Sequence, residues 1–141
     1  VLAVIFSYLG GADAIAAAMD QLGERDYQYL LYQNLGDLYL KQERYRDSAE
    51  TFKAYVVHYP DSGQAHQLQI KVIGAYEEGG FPELVVEEKQ FYVATFEVRG
   101  SSWLRSDWAT RNAIDEKQQV FIPELARHFH ALAQQSAKKP D

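Results

Sequence analysis

From Ala12 onward, apolar side chains recur at the three-and-four spacing of helices that bury one face and wet the other. The first such stretch, residues 12–22, stops at Gly23, a residue suited to the left-handed conformation at a helix end. A second, 26–41, gathers Leu31, Leu35 and Leu38 on one side. A third, 44–59, lines up Tyr45, Ala49, Phe52, Val56 and Tyr59. Pro60 ends it, and Asp61, Ser62 and Gly63 turn the chain. A fourth helix, 64–78, groups Ala65, Leu68, Val72, Ala75 and Tyr76 and closes at Gly79 and Gly80. Pro82 opens a fifth, 82–98, at the first helical position, where its missing N–H costs nothing. Gly100 and Ser101 lead into a short sixth helix, 102–112. Asp115 with Gln118 reads as a capping box for the last, 115–135, which Pro123 should kink or restart. Outside residues 1–9, which the pattern leaves unassigned, nothing alternates with period two. The expectation is an all-α fold.

Helices in antiparallel pairs with short turns invite a search for repeats. Tyr32, Leu35, Gly36 and Tyr39 are followed by Ser48, Phe52 and Pro60. Gly36 and the small Ser48 let two helices approach closely, and Tyr32, Leu35, Tyr39 and Phe52 fill the space around them. This order resembles the signature of the tetratricopeptide repeat (TPR) family. A weaker copy runs through Gln69, Val72, Ile73 and Tyr76 to Val85 and Lys89, with Ile73 in the glycine place and Lys89 in the phenylalanine place. The step from Tyr39 to Tyr76 slightly exceeds the roughly 34 residues of the standard repeat. The resemblance implies an α-solenoid, a right-handed superhelix of antiparallel helix pairs forming one domain over residues 1–141. Its clear repeat is 29–62, its degenerate repeat about 63–98, and its last helix pair about 102–135.

Three phrases, Phe6 to Gly11, Arg44 to Ala49 and Gly79 to Pro82, are similar to large proteobacterial repeat proteins described as envelope or TonB-system components. That similarity implies a fragment of a longer periplasmic scaffold. The chain has no cysteine, which rules out disulfides, thiolate metal sites and cysteine nucleophiles but is compatible with cytoplasm and periplasm alike. Of its 141 residues, 14 are basic and 20 acidic, for a net charge of −6. The basic residues are scattered, so no stripe is available to displace counterions from a nucleic acid. The apolar opening, Val1 to Phe6, is too short to span a bilayer and lacks the charged start of a signal peptide, so no membrane insertion is expected. At the other end Ile122, Leu125, Ala126, Phe129, Leu132 and Ala133 form an apolar stripe, where a solenoid normally finishes in a polar-faced cap. That stripe suggests an excerpt of a longer array, and weak self-association through the terminal helices.

In the TPR family the first helix of each pair lines a concave groove. The resemblance therefore implies that Gln33, Asp37, Leu40 and Lys41 from one pair, and Gln67, Ile70, Gly74, Glu77 and Glu78 from the next, face a protein or peptide ligand. The competing reading of these residues is a solvated outer face. Gln33 and Asp37 depart from the Lys and Asn clamp with which some members grip a C-terminal carboxylate. The function implied is a non-catalytic interaction scaffold, with a structural spacer or oligomerisation segment as the alternative. Enzymatic readings find little support. Glu77 and Glu78, like Glu87 and Glu88, are adjacent on a helix and point about 100° apart, so they read as exposed charges rather than an acid/base pair. His128 and His130 lack the four-residue spacing by which two helical histidines share a metal, and His58 and His66 flank a turn and read as surface residues. No catalytic residue, metal or cofactor is expected. The aromatic residues read mainly as core, although Trp103 and Trp108 cannot share one core line and Tyr27, Tyr29 and Tyr32 cannot all be buried.

Overall fold

The structure, a computed structural model, describes residues 28–138, and every regular element among them is helical. The elements are α1 (Gln28–Lys41), α2 (Tyr45–His58), α3 (Ala65–Gly79), α4 (Pro82–Thr95), the single turn α5 (Ser101–Leu104) and α6 (Trp108–Lys138). The expected helix at 12–22, the opening 1–9 and Tyr27 lie outside the described residues. The chain divides into two compact units, Val1–Glu88 and Lys89–Asp141, and α4 runs across the boundary.

In the first unit α1 and α2 pack because Gly36 has no side chain. The Phe52 ring occupies the place a Cβ would take, and a Cβ built there would overlap it. Ser48 Oγ donates to the Gly36 carbonyl across the same crossing, at 2.7 Å. Tyr32, Leu35, Tyr39, Ser48 and Phe52 are all buried, each for the packing reason the repeat pattern suggests. Arg44 lies over the Tyr39 ring and bonds Asp47, which fixes the short turn into α2. The α2–α3 turn is held by Ser62, whose Oγ lies 2.6 Å from the Tyr55 hydroxyl and accepts the Gln64 N–H. Gly80, at φ 76°, then closes α3 in the left-handed conformation that glycine adopts without strain. The following Phe81 N–H reaches back to the Tyr76 carbonyl while its ring packs edge-on against Tyr76.

Polar residues tie the third and fourth helices in. Lys53 Nζ on α2 meets Glu88 Oε2 at 2.6 Å, and Gln69 Nε2 on α3 donates to that same oxygen at 2.7 Å. Glu88 is therefore not the exposed charge expected of it; its carboxylate is shared by two elements, and only Glu87 of that pair is exposed. His66 is a second correction. It is buried in the first turn of α3, whereas His58 stays exposed.

The second unit is built on Tyr92 of α4 and Phe96 just past its end, against Ile114 and Phe121 of α6, with the Tyr92 and Phe121 rings at right angles. Gln118 is buried among them and donates to the Phe96 carbonyl at 2.8 Å. Here the expected boundaries shift. Helix α4 stops at Thr95, three residues short of expectation, because the chain turns through Arg99, at φ 65°, to the Gly100 N–H bond with Glu97. The helix expected at 102–112 is divided, and no break separates it from the last one. Asp107 rather than Asp115 caps α6, its Oδ1 accepting the Thr110 N–H at 2.7 Å. Asp115 stands inside the helix and accepts the Trp103 indole N–H at 2.9 Å, while Arg111 stacks on that indole and bonds its carbonyl. The helix then continues through Pro123 for 31 residues in all. Proline withholds one bond, to the carbonyl of Gln119, and Gln119 is an exposed residue that water can satisfy. Trp108 is the exposed member of the tryptophan pair, at 79%. No helix among the described residues is long and apolar enough to cross a membrane.

Candidate functional site

The residues assigned to a groove come from α1 and α3, and one ion pair shows how those helices meet. Asp37 Oδ1 and Lys71 Nζ are 2.7 Å apart, joining α1 to α3 past the helix that separates them in sequence. Lys71 also lies over the face of Phe52, 5.1 Å from its centroid, so α2 supplies the floor beneath the pair. Gln33, Asp37, Leu40, Ile70 and Gly74 are half-buried, and Lys41, Gln67, Glu77 and Glu78 are exposed. A Cβ added to Gly74 would have no neighbour within 4 Å, so the face is open at that point. Asp37 is not a free acid waiting for a ligand; its charge is matched by Lys71. What distinguishes the surroundings is surplus acid. Residues 28–88 hold ten acidic side chains and five basic ones, and two of those five, Lys53 and Lys71, are paired across helices.

A cleft that the sequence reading missed lies elsewhere in the first unit. It has a volume of about 650 Å³ and is lined by Tyr29, Tyr55 and Tyr59 together with His58, Ser62 and Gln64. Tyr55 and Tyr59 are four apart at the end of α2, their ring centroids 5.0 Å from each other. Burial pushes the Tyr55 hydroxyl above its ordinary pKa, an effect the Ser62 hydrogen bond partly offsets. The hydroxyl is thus neutral at physiological pH. Tyr76 is raised too, again first by burial and then by the nearby charges of Glu50 and Glu88. The only sequence signal for this cleft was the tyrosine spacing beside a polar turn, and core packing accounts for that spacing equally well.

In the second unit a shallower cleft of about 520 Å³ is walled by Val98, Ile122 and Pro123, with Asp115, Gln118 and Gln119 at its polar side. Burial strongly raises the pKa of Tyr92 nearby, and the charge of Asp115 adds to the shift. Among the described residues no group of three or more acidic or histidine side chains converges as a metal site would require. Set against protein-family models, curated proteins and solved structures, the chain matches none of them.

Proposed function

We propose that this chain is a non-catalytic helical-repeat module of the TPR type, which holds an extended peptide or protein segment against the face shared by α1 and α3. The observation that carries the reading is the Asp37–Lys71 pair. It links the first helices of two successive helix pairs, as a solenoid groove would require. The close crossing at Gly36, Ser48 and Phe52 supports the same reading, because it gives the repeat-like residues their packing purpose. Three close ion pairs among the described residues, Lys53 with Glu88, Lys71 with Asp37 and Lys89 with Glu124, each tie one helix to another. The acid surplus of residues 28–88 selects a basic ligand. A place in a longer array, as in the envelope proteins that the sequence resembles, belongs to the same proposal.

The test uses short labelled peptides of basic, neutral and acidic composition in fluorescence anisotropy. The basic set should bind, and Gly74→Arg should weaken binding at least tenfold while circular dichroism stays unchanged, since an added side chain there meets open space. Equal binding of all three sets, or a Gly74→Arg protein that binds normally, would sink the groove and favour a spacer role.

A further inference from the structure

We infer that the cleft at the α2–α3 turn binds a quaternary-ammonium group, free in a small molecule or carried on a trimethylated lysine. Three tyrosine rings line it, Tyr29 from the start of α1, Tyr55 from the last turn of α2 and Tyr59 just past that helix. The described residues that line it include no lysine or arginine, and their one acid is Asp61, an exposed residue of the turn. Aromatic rings attract a cation through the negative charge of their faces, most strongly where water is excluded, and clusters of such rings recognise quaternary ammonium. The acid excess over residues 28–88 pulls in the same direction, and pairing within the chain leaves that net charge unchanged.

The rings are held in place by the core behind them. Tyr32 is fully buried and stands edge-on to two of them, its centroid 5.5 Å from that of Tyr55 and 6.4 Å from that of Tyr59. The Tyr55 hydroxyl is anchored on Ser62 Oγ at 2.6 Å. The backbone is tied as well: the Tyr59 N–H bonds the Tyr55 carbonyl, and the Ser62 N–H bonds the Tyr59 carbonyl. Such a preformed site loses little freedom when a ligand enters. The lining also discriminates between cations. A primary ammonium brings three donors that need acceptors once water is removed. Ser62 Oγ, in the middle of the turn, is already engaged by the Tyr55 hydroxyl and the Gln64 N–H. A quaternary ammonium has no N–H and asks only for ring faces. The volume of about 650 Å³ leaves room for the chain that carries the charged group. This inference does not rest on the groove of α1 and α3.

Choline is the probe, titrated into the isotope-labelled full chain and followed by two-dimensional NMR. The pH is set above the range in which histidine carries charge, so that His58 in the lining is neutral. Amide signals of the α2–α3 turn should shift and saturate at millimolar choline. The uncharged isostere, with tert-butyl in place of trimethylammonium, should bind about tenfold more weakly. Tyr59→Leu and Tyr29→Leu keep apolar bulk but remove a ring, and each should weaken choline binding about tenfold with unchanged circular dichroism. Both residues are half-buried, and Tyr29→Leu carries the test should Tyr59→Leu disturb the turn. Gly74→Arg should leave choline binding intact, which separates this site from the groove. A peptide bearing trimethylated lysine distinguishes the two sources: tighter binding than choline assigns the ligand to a modified protein, and weaker binding to a small molecule. No saturable shift with either ligand, equal binding of the isostere, or normal binding by a folded ring variant would overturn the inference.

Discussion

Gly36 and Gly74 are both helical glycines, yet their surroundings assign them opposite roles. A side chain at Gly36 would enter the Phe52 ring, whereas one at Gly74 meets nothing within 4 Å. Alanine at Gly36 should therefore cost about 1–3 kcal/mol through overpacking. Alanine at Gly74 should stabilise by about 0.5–1 kcal/mol, because it stiffens a helix at no steric cost. Urea midpoints of the two variants measure this, and a destabilising Gly74→Ala would mean that the open face is filled in solution. The Gly36, Ser48 and Phe52 crossing was legible in the sequence because small and large residues at fixed offsets carry their own packing reason. Glu88, His66 and Asp115 were not. Local pattern reads them as an exposed charge, a surface histidine and a helix cap, whereas His66 is buried and side chains from other elements hold Glu88 and Asp115.

At the scale of elements, α1 to α3 lie within a residue or two of the pattern that predicts them, since Pro60, Gly80 and Pro82 mark their ends sharply. The pattern fails between residues 98 and 115. Ser102 and Asp115 have the residue types of helix starts, but Asp107 is the one whose carboxylate reaches the Thr110 N–H. Pro123 misleads in the same way, because proline is judged as a breaker without knowing whether its neighbours hold the helix together. Here Lys89 bonds Glu124 at 2.7 Å just after it, and Phe121 is buried just before it. A continuous helix predicts that Pro123→Ala raises both helix content and stability. The missing bond is restored and a residue costing up to about 3 kcal/mol in a helix interior is removed. Circular dichroism with thermal melting reads both, and an unchanged signal would place a real break at Pro123. The groove residues stand differently. Spacing alone shows that each helix's set shares a face, but not the pairing of Asp37 with Lys71, because Lys71 lies 34 positions along the chain.

The whole molecule has two separate cores, and they are unequal. The first is dense with fully buried side chains, among them Tyr32, Leu35, Phe52, Val56, Leu68 and Val72, drawn from three helices. The second rests on a smaller set, Tyr92, Phe96, Ile114 and Phe121. Much of α6 beyond Phe121 adds exposed surface rather than burial in a single copy. The second unit should therefore unfold first, and the chain offers a clean way to see it. Both tryptophans, Trp103 and Trp108, belong to that unit. Trp103 is fixed by Asp115 and Arg111, so loss of that packing changes its fluorescence. In a urea titration, tryptophan emission should shift at a lower concentration than the main loss of helix signal. The helix signal itself should fall in two steps. Coincident transitions by both probes would show that the two cores melt as one cooperative body.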